Sequence, residues 1–187
     1  MSKELERYRK MVTLATGERV LLRPLNKNDG EALLDLFRSA TDADIAYFRN
    51  DVRDEDLVRS WVEDLDLSKV FPVVAVVNDR LMGDASLRIG KGFNRHIGWV
   101  RIYLSRECRR KGIGTELLKA VIEVARRLGL QQIVAEIVSN QVQAIKAFES
   151  LGFRHEYSHS DYFLFGENET FDLAVYVRRL ASPVGRF

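Results

Sequence analysis

One cysteine and three prolines stand in 187 residues, and no apolar run approaches the ~18 residues that a membrane helix needs. Cys108 alone excludes an internal disulfide framework and fits a reducing compartment. The first ten residues, MSKELERYRK, are charged and hold no apolar core for a secretory signal, so a cytoplasmic protein is expected. Charge of one sign is also scarce. Lys and Arg number 29 against 27 acids, a net +2, so no global basic field argues for nucleic acid. No repeat or low-complexity segment interrupts the chain. Its length and 46% hydrophobic content suit one soluble domain over 1–187, with a core of about 18–178. No nucleic acid, membrane or metal is expected.

Hydrophobic periodicity supplies the elements. MVTLATGERVLLRPL alternates about Thr16-Gly17 and predicts a hairpin, or one strand with a lead-in. Asn28 or Asp29 can cap a helix that runs to about Ala40. Residues 41–52 read as a loop, and 53–65 as a helix with Leu57, Trp61, Val62 and Leu65 inward. Strands follow at 71–78 and 81–90, with Asp79-Arg80 as the turn, and a third at 95–105. A helix from about Gly112 to Leu128 stops at Gly129, a strand covers 131–138, and a short helix covers 141–152. Two last strands flank Glu167-Asn168-Glu169. Their apolar residues Tyr162, Phe163, Phe165, Phe171 and Tyr176 read mostly as core, with a homodimer face as the alternative. The pattern predicts α+β, a mixed sheet covered on both faces.

The stretch Arg109-Arg110-Lys111-Gly112-Ile113-Gly114 lies between a strand and a helix. The first N–H groups of a helix have no internal partner and favour an anion. Glycines let the backbone approach closely, and the cations add charge. The plainer reading is a solvated basic turn. A P-loop is excluded because the lysine precedes the glycine. A Rossmann fingerprint is excluded because Leu117 holds the third glycine's place and only one βαβ unit is evident.

Arg109-x-x-Gly112-x-Gly114 after an apolar strand resembles the acetyl-CoA pyrophosphate loop of the GCN5-related N-acetyltransferase (GNAT) family. SNQVQAIKAFESLGF resembles that family's second signature at Ala144, Phe148, Gly152 and Phe153. A weaker likeness, in IAYFRNDV, GIGTELL and Phe148, is to the acetyltransferase domain of bacterial and archaeal protein lysine acetyltransferases. The resemblance covers roughly residues 18–178.

It implies a mostly antiparallel sheet with a splayed central strand pair and helices on both faces. It also implies acetyl transfer from acetyl-CoA, by direct attack, to a primary amine. The acceptor would be a small molecule, a protein lysine or an N-terminus. Ile102, Tyr103 and Leu104 would present backbone groups to the pantetheine arm, and the Leu104 N–H would hold the oxyanion. Arg109, Arg110, Lys111, Gly112, Ile113, Gly114 and Thr115 would hold the pyrophosphate. Asn140, Gln141 and Phe148 would also border the cofactor; plain core packing is the alternative for Phe148 and the preferred role for Phe153.

The match departs from the family at the chemistry. Position 148 is Phe, which cannot donate the proton that a tyrosine supplies in many relatives. The usual strand glutamate is absent from His96-Ile97-Gly98-Trp99, and Gln141 holds the place of an asparagine. Substitute acid/base groups are His96, Asp84, Glu136, Tyr103 and Tyr157. An acyl-CoA sensor that has lost catalysis is the competing reading, and a nucleotide-binding module is the third.

Overall fold

The computed structural model describes residues 3–180 apart from 49 and 167. Glu167, expected in the last turn, therefore lies outside the described residues. The elements in chain order are α1 (Lys3–Glu6), β1 (Lys10–Thr13), β2 (Arg19–Pro24), α2 (Gly30–Arg38), α3 (Asp42–Ile45), α4 (Glu55–Glu63), β3 (Val70–Val77) and β4 (Arg80–Ile89). They continue with β5 (Ile97–Leu104), α5 (Ile113–Arg127), β6 (Gln132–Val138), α6 (Val142–Ser150), β7 (Arg154–Phe165) and β8 (Glu169–Arg179). Eight strands form one sheet in the order β1-β2-β3-β4-β5-β6-β8-β7. Every neighbouring pair is antiparallel except β5 and β6, which are parallel and joined through α5. This is the expected α+β architecture.

Side chains alternate between the two faces of a strand. On one face Val100, Ala85, Leu87, Ile133 and Ala135 pack under α5 through Ile113, Leu117, Val121 and Val124. Phe148 of α6 joins the same cluster. On the other face Val74, Leu81 and Tyr103 meet Leu33, Leu34 and Phe37 of α2 and Val58 and Val62 of α4. The two helical layers thus leave both faces of the central strands covered.

Several local expectations shift. The helix at 53–65 turns Val58 and Val62 fully inward, while Leu57 and Trp61 are half-buried. The β3–β4 turn is Asn78-Asp79, with φ of 47° and 60°. Two positive φ values are what a two-residue type I′ hairpin requires, and Asn and Asp tolerate them best. The expected loop at 41–52 contains α3, begun by a capping box in which Thr41 and Asp44 satisfy each other's backbone N–H groups. The last hairpin is less buried than expected. Tyr176 is core, Tyr162 is 49% exposed, and Phe163, Phe165 and Phe171 are half-buried.

Candidate active site

The parallel pair β5/β6 is short. Its rungs run from Ile97↔Gln132 to Val100↔Ala135 and stop there. Yet β5 continues to Leu104, held by β4, and β6 continues to Val138, held by β8. The two strands therefore fork, and the inner edges of Arg101–Leu104 and Glu136–Val138 have no ladder partner in each other. The direction of the free groups follows from one bond. The Ser105 N–H donates to the Met82 carbonyl at 3.0 Å. In an antiparallel ladder such pairs recur at every second residue. Arg101 and Tyr103 accordingly bond to Ser86 and Asp84 of β4. Ile102 and Leu104 turn their backbone groups into the fork. Tyr103, expected to present its backbone there, points it the other way.

A cradle stands at the open end of this fork. Arg110 has φ 61° and Gly112 has φ 91°, so left-handed residues alternate with ordinary ones ahead of α5. Such alternation turns successive N–H groups toward one concavity. The first helical bond is from the Glu116 N–H to the Gly112 carbonyl, at 3.1 Å, which leaves the amides of Ile113, Gly114 and Thr115 at the orphan end of a 15-residue helix. A left-handed arginine is strained, and strain of this kind gathers at ligand clamps. Gly114 packs tightly, since a Cβ there would lie 3.0 Å from Leu104 Cδ1. Helix, cradle and strand end are thereby fixed together. Arg110 and Lys111 are exposed beside the cradle, and Lys111 lies 4.0 Å from Glu18.

The candidate acid/base groups separate by position. Glu136 is the first residue of β6 past the last rung. It sits on the face opposite α5, since its neighbours Ala135 and Ile137 point to α5. Asp84 is on that same face, beside Tyr103. Its Oδ2 accepts from the Ser86 hydroxyl at 2.7 Å, and its Oδ1 is sealed from solvent without a partner. The residue keeps some exposed surface, but burial of the carboxyl pushes it up to about 7, against the opposing pull of the Ser86 bond. His96 precedes β5 and its carbonyl accepts from the Gln131 N–H. It lines a shallow pocket with Phe93, Arg95, Gly129 and Gln131. The eight residues of β5 span ~26 Å, so His96 stands at the closed end of the fork and does not reach the cradle. Tyr157 is exposed on β7. Phe148 is closed in the core, edge-on to Phe153 at 4.9 Å, in the plain packing role.

Around the fork the expected Arg109, Asn140 and Gln141 are joined by Thr41, Asp44, Tyr47 and Arg106, which the sequence did not single out. Arg109 donates from Nε and Nη2 to the Leu104 carbonyl, both at 3.1 Å, and from Nη2 to Asp44 Oδ1 at 2.7 Å. Arg106 donates to the Thr41 hydroxyl at 2.6 Å and to Asp44 Oδ2 at 3.3 Å. Burial alone would raise the Asp44 carboxyl, but bonds from Arg109 and Thr41 outweigh it and hold the group below its ordinary value. The Tyr47 hydroxyl donates to Asn140 Oδ1 at 3.3 Å, just past β6. Gln141 begins α6. The pairs that reach Thr41, Asp44 and Tyr47 join residues 62 to 93 positions apart, a separation that no sequence periodicity reports.

The fork and the cradle together define a site for a long ligand whose arm needs backbone partners and whose end is anionic. Among the described residues no group of three or more His, Cys, Asp or Glu could hold a metal, and no helix is long and apolar enough to cross a membrane. The profile of the Acetyltransferase (GNAT) family matches residues 31–153, most of the chain and both arms of the fork. The chain therefore belongs to that family, whose members are N-acetyltransferases with acetyl-CoA as cosubstrate. It is 27% identical over 103 residues to the camello protein of Xenopus laevis, a match that covers 55% of this chain and 47% of that one. The chain thus spans about half the length of this relative. It is 28% identical over 134 residues to the L-amino acid N-acyltransferase MnaT of Escherichia coli, across 71% of this chain and 78% of that one. In fold it is similar to yncA of Salmonella typhimurium, solved with its cofactor acetyl-CoA. That likeness has a TM-score of 0.77 at 24% identity and covers 89% of this chain and 96% of that one.

Proposed function

We propose that the chain transfers acetyl from acetyl-CoA directly to a primary amine, with Glu136 as the base. The observation that carries this is the fork itself. Two strands part after Val100↔Ala135, the Ile102 backbone groups and the Leu104 N–H line the gap, and the α5 amide cradle closes its mouth. The amides of Lys111–Thr115 hold the pyrophosphate, with Arg110 and Lys111 adding charge. Ile102 and Leu104 pair with the pantetheine arm. Because the Leu104 carbonyl is already capped by Arg109, the Leu104 N–H is the free group there, and it donates to the developing oxyanion. Glu136 takes the proton that the ammonium must lose before nitrogen attacks the thioester carbon. The C–N bond forms, the C–S bond breaks, and the leaving sulfur is protonated to the free thiol.

The acceptor that fits best is an amine that also carries a carboxylate. Arg88 and Arg101 lie on the same face as Glu136, and the Arg88 guanidinium is held 4.4 Å above the Trp99 ring. An arginine oriented in this way grips a carboxylate in bidentate fashion. MnaT, named for L-amino acids, supports the same class. Protein lysines and protein N-termini lack that carboxylate. A turnover assay with acetyl-CoA, free amino acids, a lysine peptide and a peptide amine decides, with free thiol as the readout. Amino acids should be the fastest acceptors. Tight CoA binding with no thiol release for any amine would establish the sensor reading instead.

A further inference from the structure

The first residue of the glycine-loop motif does not face the cradle. Three bonds commit the Arg109 guanidinium elsewhere, two to the Leu104 carbonyl and one to Asp44. Asp44 is nearly buried, with a side chain 10% exposed, and belongs to α3 on the face opposite α5. The same carboxylate accepts from Arg106, which also holds Thr41. Around this knot the Arg109 guanidinium lies 6.0 Å from the Tyr103 ring centre, and Tyr103 stacks with Phe48 at 5.1 Å and Phe37 at 5.5 Å. Three residues after Asp44 the segment reaches the other arm of the fork. Tyr47 bonds to Asn140 beyond β6 and lies 5.2 Å from Phe165 of β7.

Residues 41–48 therefore run from the end of β5 to the end of β6, across the open side of the fork. We infer that Arg109 is a positioning residue for the acceptor and not a phosphate ligand. Together with Asp44, Thr41 and Arg106 it fixes this segment as a strap over the fork. Two features set it apart from a cation that happens to have found a partner. Its bonds to Leu104 tie the strap to the residue whose N–H serves the reaction. Its planar donor set serves Leu104 and Asp44 at once, which a lysine ammonium on a flexible stem cannot reproduce. Swinging Arg109 to a phosphate would uncap the Leu104 carbonyl and leave Asp44 with the longer Arg106 bond alone among its arginines. The strap sets the height of the passage through which an amine approaches Glu136. This rests on reading the fork as the acetyl-CoA gap, but the strap itself is testable without turnover.

The test compares Arg109→Ala, Arg109→Lys and Asp44→Asn with the unaltered chain. Amide hydrogen exchange over 41–48 is measured by mass spectrometry, and CoA affinity by calorimetry. All three variants should exchange this segment at least tenfold faster, and all should bind CoA within about threefold of the parent. With the best amine of the panel, its KM should rise while that of acetyl-CoA stays constant. A phosphate ligand behaves oppositely. Arg109→Ala would then lose CoA affinity tenfold or more, Arg109→Lys would restore it, and exchange over 41–48 would not move. That result overturns the inference, as does unchanged exchange in both Arg109→Ala and Asp44→Asn. If the parent chain itself fails to bind CoA, the acetyl-CoA reading fails, while the exchange rates still decide whether Arg109 holds the strap.

Discussion

Gly112→Ala isolates the cradle from everything else that a glycine does. At Gly112 the backbone has φ 91°, and an added Cβ would find its nearest neighbour, Leu14 Cδ2, at 3.9 Å. Alanine thus fits sterically and meets only the backbone penalty of about 1–2 kcal/mol for an L-residue held left-handed. For a domain of this size that lowers Tm by roughly 2–8 °C. Gly129 gives the matched control. It has φ 74° with nothing within 4 Å of its Cβ position. It stands at the far end of α5, ~22 Å away along the helix axis. Gly129→Ala should therefore lose similar stability and keep CoA affinity. Gly112→Ala relieves its strain by rotating the loop, and that turns amides out of the concavity. A hydrogen bond to a charged group contributes about 1.5–3 kcal/mol. Losing one raises Kd by roughly 10- to 100-fold at about 1.4 kcal/mol per decade. Calorimetric titration with CoA, alongside thermal melts of both variants, makes the comparison. If Gly112→Ala binds CoA within twofold of the parent while both melts fall, the loop amides do not hold the phosphates.

Glu136→Gln should lower kcat by about 10²–10⁴-fold, the usual worth of a general base, and leave CoA affinity unchanged; stopped-time thiol assays read the loss, and a parent-like rate would remove Glu136 from the mechanism. Asp84 binds its proton more tightly folded than unfolded, because burial pushes its carboxyl up to about 7. Its contribution therefore favours the folded state at low pH and is lost as pH rises from about 4 to about 7, on the order of 1.4 kcal/mol per unit of difference. Asp84→Asn should flatten that slope in urea melts and be the more stable form at pH 8; an unaltered slope would show that the carboxyl does not titrate there. Leu117 is fully buried under the sheet, so Leu117→Ala should cost about 2–5 kcal/mol in the same melts, and a loss below 1 kcal/mol would contradict the packing of α5 on β4 and β5.

The features legible in the sequence are those set by short-range patterns. The 3.6-residue period of Leu117, Leu118, Val121 and Ile122 placed α5, and the glycines of RRKGIG placed its start. The continuous apolar run FPVVAVVN marked a buried strand, and β3 is covered on both faces. Exact ends were less legible. The turn at Asn78-Asp79 is one residue from its expected place because either pair can form a hairpin, and packing of Val77 and Leu81 chooses between them. His96 lies one residue ahead of β5, and the start of that strand is the closed end of the fork. The strap was illegible. DADI is short and acidic, and a four-residue helix has too few periods to show a face. Its stability comes from a capping box and from two arginines 62 and 65 residues away. The positioning role inferred for Arg109 rests on the same difference. The backbone pattern of the loop is local, but the partner of a long side chain is decided by whatever the fold brings beside it.

The bound position of the cosubstrate tests the fork and the cradle most directly. Titrating CoA into the ¹⁵N-labelled chain and following backbone amide resonances reports that position residue by residue. Shifts should concentrate at Lys111, Gly112, Ile113, Gly114 and Thr115, and at Ile102 and Leu104 along the inner edge of β5. The amides of Tyr103, bonded to β4, and of Gln131, bonded to His96 at the closed end, should move least. Shifts centred on His96 and Gln131, or none in the cradle at saturating CoA, would contradict the central claim.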